Sequence, residues 1–244
     1  MELVIDMGNT RLKWALFNTA TCLSRGVLVN TSITSNTLHE QWRGELQPSV
    51  VGIACVSDES LFISVKTSLK ALWPNIEIIR FYATAACLGV QNAYEQPEKL
   101  GVDRWLALLA THHDYQGCAC IIDCGTAITI DILRADGVHL GGYITPGLML
   151  MQQTLLARTG LAGDSLHQSL RAGQTTEAAI YAGTLMAAVG LINTIPQLYP
   201  EVEQIILTGG DAATVAQYVS VAVNIDVDLV LRGLILAVNT TITS

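Results

Sequence analysis

The chain has 244 residues, half of them apolar and 14% charged, a composition that excludes intrinsic disorder and suffices for one or two domains with a sizeable core. Thirteen basic against 21 acidic residues leave a formal charge of −8, so neither nucleic acid nor an anionic membrane surface is expected as a partner. A phosphorylated ligand would have to be held locally, by backbone N–H groups, a single Lys or Arg, or a bound cation.

The first residues, Met1-Glu2-Leu3-Val4-Ile5-Asp6, lack a basic start and a cleavage site, so no signal peptide is expected and a cytoplasmic location is. Leu3 to Ile5 read as an apolar strand running into the polar turn Asp6-Met7-Gly8-Asn9-Thr10. Leu12, Trp14 and Leu16 then alternate with Arg11, Lys13 and Ala15 as a second, half-buried strand. Strand-like pieces follow at Val50–Val56 and Ile76–Phe81, and helical periodicity at Leu61–Trp73 and Arg104–His112. The polar stretch from His112 to Gly117 marks the expected boundary, giving domains 1–116 and 117–244.

The opening pattern then returns. Cys120-Ile121-Ile122-Asp123-Cys124-Gly125-Thr126 is an apolar strand into an Asp-x-Gly-Thr turn, and Ile128, Ile130 and Ile132 alternate behind it. Asp123 and Gly125 stand at the same offset from Asp6 and Gly8, close to half the chain, which points to an internal duplication. Gly147–Ala157 and Ala178–Ile192 read as helices, Gln204–Thr208 as a strand into Gly209-Gly210, and Leu229–Asn239 as a final helix. Two α/β halves, each opening with a β-hairpin, follow from this order.

Mean hydropathy is positive, +0.41, but the apolar part of the uncharged stretch Ala178–Pro200 ends near Ile192. That is short of the roughly 20 residues a bilayer span needs, so a core or interface helix is expected and no membrane. The six cysteines (22, 55, 87, 118, 120, 124) contain no CxxC and are read as free thiols. His112-His113 fit a helix C-terminus, while His39, His139 and His167 have no partner at useful spacing. Met149 and Met151 read as helix packing.

An Asp-x-Gly-Asn/Thr turn between two strands suits nucleotide phosphates. Glycine admits close approach, the turn N–H groups face the oxyanion, and the carboxylate acts through a hydrated cation. One copy alone is better read as an Asx-turn, but two facing copies in pseudo-symmetric positions shift the balance, because they could grip a polyphosphate from both sides. Leu207-Thr208-Gly209-Gly210-Asp211 allows a similar approach, or a plain strand-to-helix turn capped by Asp211. The polar run from Asn92 to Trp105 delivers Asp103 and Arg104 to a helix start. There Asp103 either caps the helix beside a solvated Arg104, or accepts a proton from an attacking hydroxyl while Arg104 pairs with a carboxylate.

Five segments now stand in order: Asp6-Met7-Gly8-Asn9-Thr10; Tyr94-x-x-Pro97-x-x-x-Gly101-x-Asp103-Arg104; Asp123-x-Gly125-Thr126-Ala127; Gly141-Gly142-Tyr143-Ile144-x-Pro146-Gly147; and Thr208-Gly209-Gly210-Asp211. Together they resemble the type III pantothenate kinases over nearly the whole chain. The resemblance implies a duplicated ribonuclease H-like α/β fold of the actin and hexokinase kind, two mixed sheets flanked by helices, in a homodimer. It implies transfer of the γ-phosphate of ATP to the primary hydroxyl of pantothenate, the first committed step toward coenzyme A. On this resemblance Asp6, Met7, Gly8, Asn9, Thr10, Arg11, Leu12, Lys13 and Thr126 contact Mg-ATP. Tyr94, Gly101, Val102, Asp103 and Arg104 form the pantothenate site, with Asp103 as general base. Asp123 holds a monovalent cation, K+ or NH4+. Thr176 reaches pantothenate, with Thr175 as the competing register, and the Ala178–Ile192 helix forms the dimer contact. The competing readings are a non-catalytic nucleotide-binding regulator on the same fold, which needs no proton acceptor, and an actin-like phosphohydrolase in which Asp103 activates water.

Overall fold

The computed structural model describes residues 1–19, 21–44, 47–159 and 169–243, so His167 lies outside the described residues. The chain forms two compact units, one of Met1–His113 joined by the stretch from Asp228 on, the other of Asp114–Val227.

The first unit is built on a five-stranded sheet. Glu2–Met7 (β1), Arg11–Asn18 (β2) and Thr21–Val29 (β3) form an antiparallel meander, followed by Ser35–Trp42 (α1), Val50–Cys55 (β4), Glu59–Leu72 (α2) and Glu77–Arg80 (β5). β1, β4 and β5 run parallel, and the strand order is β3-β2-β1-β4-β5. β1 and β4 sit in the middle, which is why both are near-continuous apolar runs. Trp14 and Trp42 meet edge to face at 6.3 Å in the core, with Leu3, Ile5, Val51, Ile53, Val65 and Leu69 around them. Thr34 caps α1 in a reciprocal box with Thr37, and Asp58 caps α2 through the Leu61 N–H. A two-residue turn joins Ala86–Cys87 (β6) to Val90–Gln91 (β7), and a polar loop leads to Val102–Asp114 (α3).

The second unit repeats the plan. Ala119–Cys124 (β8), Ala127–Leu133 (β9) and His139–Pro146 (β10) form the meander, followed by Leu148–Thr159 (α4), Thr176–Leu198 (α5), Gln204–Thr208 (β11), Ala212–Ala216 (α6) and Asn224–Ile225 (β12). The order β10-β9-β8-β11-β12 matches the first sheet position for position, including which pairs are parallel. The internal duplication is therefore a duplication of topology.

The last helix, Leu229–Thr243 (α7), departs from the expected 117–244 half. It packs on β1, β2 and β4 of the first unit, and its Gly233 lies so close to α3 that a Cβ would sit 1.9 Å from the Leu106 carbonyl oxygen. This contact is a tertiary one that no local pattern announces.

Two edge strands, β3 and β10, are absent from the sequence expectation. β3 has no clean alternation because Ser24 and Gly26 take half-buried positions while Leu23, Val27 and Val29 are exposed. β10 carries two glycines, a bulge between His139 and Gly141, and a terminal proline tolerated only at an edge. α5 runs 23 residues rather than ending at Ile192, because Thr175 caps it three residues before its first apolar position, Ala178, and Pro196 falls only in its final turn. By length and composition α5 could cross a membrane. In the fold, however, Leu185, Ala188, Val189, Ile192 and Ile195 pack into the core of the second unit. His139 also has a partner after all. Its Nε2 lies 2.8 Å from Asp131 Oδ1, both side chains buried, a contact made across the β9–β10 hairpin. Met151 packs on the core as expected, whereas Met149 is exposed.

Candidate functional site

The first hairpin turn, Gly8-Asn9-Thr10, is closed by the Gly8 N–H donating to the Arg11 carbonyl at 3.0 Å. It is held from two sides. The Val56 and Ser57 N–H groups at the end of β4 donate to the Met7 carbonyl. From the end of β3, Asn30 donates its backbone N–H to Thr10 (2.9 Å) and its Nδ2 to the Gly8 carbonyl (2.8 Å). These bonds occupy turn carbonyls from behind. Asp6 is 8% exposed and stands directly across the ladder from Lys13, so both project from one face. Asn9, Thr10 and Arg11 are exposed, as a ligand-facing turn requires. Met7 and Leu12 are fully buried, so only their backbones can meet a nucleotide.

The second hairpin turn, Gly125-Thr126, is one residue shorter and packed differently. Gly125 N–H donates to the Ala127 carbonyl (3.0 Å), and Asp211 N–H donates to the Cys124 carbonyl (2.9 Å), the counterpart of the β4 bonds to Met7. Gly147 N–H donates to the Thr126 carbonyl at 2.9 Å, and a Cβ on Gly147 would lie 2.1 Å from the Gly125 oxygen. Gly209, at φ +92°, is the second close approach, since a Cβ there would be 2.3 Å from Asp123 Oδ1 and 2.6 Å from the Cys124 oxygen. The Gly-Gly-x-Ile-x-Pro-Gly and Thr-Gly-Gly motifs thus share one purpose, to let two chain segments close on this turn. Across the ladder from Asp123 stands Thr129, not a lysine. Asp211 takes the N-cap position of α6 but makes no side-chain cap bond to it.

The start of α3 departs from the reading of a helix cap beside a solvated arginine. Arg104 is 7% exposed, so it is no solvated first-turn residue. Its Nη1 donates to the Tyr94 hydroxyl at 2.9 Å, and its guanidinium carbon lies 5.7 Å from the Tyr94 ring centre. Asp103 is the second residue of α3 rather than its cap, and its Oδ1 accepts the Arg104 N–H at 2.8 Å. That carboxylate folds back over Gly101, where a Cβ would lie 2.5 Å from Oδ1. Val102 is buried beneath. Tyr94, Gly101, Asp103 and Arg104 are therefore one cluster, in which the Tyr94 phenol meets the Arg104 guanidinium and the Asp103 carboxylate turns onto the Arg104 backbone N–H beside Gly101.

Thr176 lies in the second unit, on a cavity of about 650 Å3 lined by α4, α5 and Pro146, with Thr154 and Thr184 as further hydroxyls and Met151, Leu155 and Ile180 as apolar wall. Thr175 spends its hydroxyl accepting the Ala178 N–H as helix cap, so Thr176 is the one left on the cavity. Pro146 joins this cavity to the second hairpin through Gly147. Asp6–Lys13, Tyr94 and Gly101–Arg104 belong to the first unit, and Asp123, Thr126 and Thr176 to the second. Sequence reasoning missed Asn30, because β3 gave no strand signal, and gave Pro146-Gly147 no task. All six cysteines are free; burial pushes the Cys120 and Cys124 thiols up to about 12, which leaves them unreactive. Among the described residues no three His, Cys, Asp or Glu side chains group to hold a metal.

The family model of the type III pantothenate kinases matches residues 2–197. The type III pantothenate kinase of Marinomonas sp. strain MWYL1 is 33% identical over 234 residues, 95% of this chain and 92% of the relative. Among solved structures, a Campylobacter jejuni protein described as a Baf-family transcriptional activator superposes with TM-score 0.62 at 22% identity, covering 98% of this chain and 99% of that one. The inorganic polyphosphate/ATP-glucomannokinase of an Arthrobacter species gives TM-score 0.50 at 15% identity over 98% of each chain. The last two carry the fold, which is that of the actin- and hexokinase-like kinases. With the model matched over most of its length and a relative above 30% identity end to end, this chain belongs to the type III pantothenate kinase family.

Proposed function

We propose that the cluster at the start of α3 presents the primary hydroxyl of pantothenate to the γ-phosphate of ATP, with Asp103 as proton acceptor. Family membership makes the chain an ATP-dependent pantothenate kinase of coenzyme A biosynthesis, working on Mg-ATP. The observation that carries the residue assignment is the burial of Arg104, turned onto the Tyr94 hydroxyl beside the Asp103 carboxylate. Burying a guanidinium costs several kcal/mol in desolvation that hydrogen-bonded partners must offset, and its planar fork suits the carboxylate of pantothenate.

In the step itself the hydroxyl oxygen forms a bond to the γ-phosphorus while the bond to the bridging β–γ oxygen breaks, and ADP leaves. The hydroxyl proton passes to an Asp103 carboxylate oxygen. Such a transfer asks the protein for position and charge neutralisation rather than covalent help. The Gly8–Thr10 turn, its carbonyls held by Asn30, offers N–H groups to the phosphates, with Arg11 and Lys13 as cations and Thr126 contributing from the second hairpin. Asp6 acts through the hydrated Mg2+ of the nucleotide, which neutralises phosphate charge when bound.

Asp123 is assigned to a monovalent cation, K+ or NH4+. The fit rests on the recess at Gly209, where the Asp123 carboxylate and the Cys124 carbonyl come within 3 Å of the place a Cβ would fill. Oxygen donors of that kind suit a hard cation, and the ladder supplies no lysine opposite. Thr176 reaches pantothenate from the α4–α5 cavity. The exposed Met149, Leu150, Leu155 and Met186 on the same two helices support a homodimer through α5, in a cytoplasmic enzyme.

The test is an ADP-coupled assay of the purified protein. ADP should form only when pantothenate and a K+ or NH4+ salt are both present. Phosphate release without acceptor would make it a phosphohydrolase, and nucleotide binding without turnover a regulator.

A further inference from the structure

We propose that Asn92 is the positioning residue of the acceptor site, holding Tyr94 and through it Arg104, without itself touching pantothenate. This rests on the assignment of the Tyr94–Arg104 cluster to pantothenate given above. Residues 92–96 belong to no helix or strand, yet Tyr94 must arrive with its hydroxyl 2.9 Å from Arg104 Nη1. Asn92 supplies the bonds that regular structure would otherwise give. Its backbone N–H donates to the Ala85 carbonyl at 2.9 Å, closing the base of the β6–β7 hairpin. Its Nδ2 donates to the carbonyls of Thr84 (3.2 Å) and Pro97 (3.3 Å), and its Oδ1 accepts the Tyr94 N–H at 3.0 Å. One side chain thereby ties together the segment entering the hairpin, the tyrosine, and the short 3-10 turn Pro97–Lys99 that leads into α3.

The knot has little packing to protect. Ala93, Glu95, Gln96, Glu98 and Lys99 are exposed, so what Asn92 fixes in this stretch is chiefly the direction of Tyr94. Only an amide can serve: two donors face two carbonyls while the oxygen faces an N–H. Aspartate has the same shape and keeps the acceptor for Tyr94, but turns a carboxylate oxygen toward the Thr84 and Pro97 carbonyls.

The experiment is steady-state kinetics of Asn92→Ala, Asn92→Asp and Arg104→Ala in the full chain, with thermal unfolding of each. Expected is a rise of roughly tenfold in the KM for pantothenate in both Asn92 variants, the size of one or two lost hydrogen bonds, with kcat and the KM for ATP little changed. Arg104→Ala should raise the pantothenate KM further. If Asn92→Ala yields no folded protein, the isosteric Asn92→Asp decides alone. A wild-type pantothenate KM in Asn92→Asp, while Arg104→Ala loses pantothenate, overturns the role of Asn92 and leaves the site assignment standing. Equal losses in both KM values with a lowered Tm also overturn it, since they mark a merely structural residue. A wild-type pantothenate KM in Arg104→Ala overturns the site assignment and this inference with it.

Discussion

The two hairpins share a strand order, an Asp-x-Gly turn and a backbone hydrogen bond from beyond the neighbouring parallel strand, yet what surrounds each turn differs. The β1–β2 turn is held by hydrogen bonds from Asn30 and the end of β4, leaves Asn9, Thr10 and Arg11 exposed, and sets Lys13 across from Asp6. The β8–β9 turn is closed in by the backbones of Gly147 and Gly209 and has Thr129 where the first has a lysine. Duplication supplied one plan, and the residues around each turn set Arg11 and Lys13 on the first copy and pack glycine backbones against the second.

The contrast breaks most visibly at the glycines. Gly147→Ala forces a Cβ to within 2.1 Å of the Gly125 oxygen, a backbone atom that cannot step aside. It should lower stability by about 1–3 kcal/mol in denaturant melts and abolish activation by K+. Gly8→Ala meets only the Arg11 oxygen at 3.2 Å, so its melt should shift by less than about 0.5 kcal/mol while the KM for ATP rises. Equal destabilisation by the two would erase the distinction drawn between the turns. A smaller effect sharpens the assignment in the second unit. Thr175→Ala should cost about 1 kcal/mol of stability through the lost cap and leave the pantothenate KM alone, whereas Thr176→Ala should do the reverse. The opposite pattern would move the pantothenate contact to Thr175.

How much of this was legible in the sequence depends on where the stabilising contact lies. β1 and β8 were readable as apolar runs into a polar turn, β2 and β9 because apolar residues alternate with polar ones, and α3 because its apolar positions recur at helical spacing. β3 and β10 were not, since an edge strand needs only one partner and can carry glycine, a bulge and proline. The return of α7 to the first unit depends on Gly233 against Leu106, residues far apart in the chain. At the site, the ordered motifs named Tyr94, Asp103 and Arg104, but only the fold shows that Arg104 is buried and bonded to Tyr94. Asn92 stood in the same stretch of sequence with nothing to mark it, because a loop asparagine is common and its side-chain partners, Thr84, Tyr94 and Pro97, come from separate stretches of chain. His139 likewise had no visible partner until β9 and β10 were paired.

The central claim is that Asp103 receives the proton of the attacking hydroxyl. Its most direct test is the single-turnover rate of phosphopantothenate formation by the Asp103→Asn enzyme with both substrates saturating. The account predicts a fall of about 100- to 10,000-fold with ATP and pantothenate still bound and the thermal melt unchanged. An Asp103→Asn enzyme that transfers phosphate at the wild-type rate would contradict it.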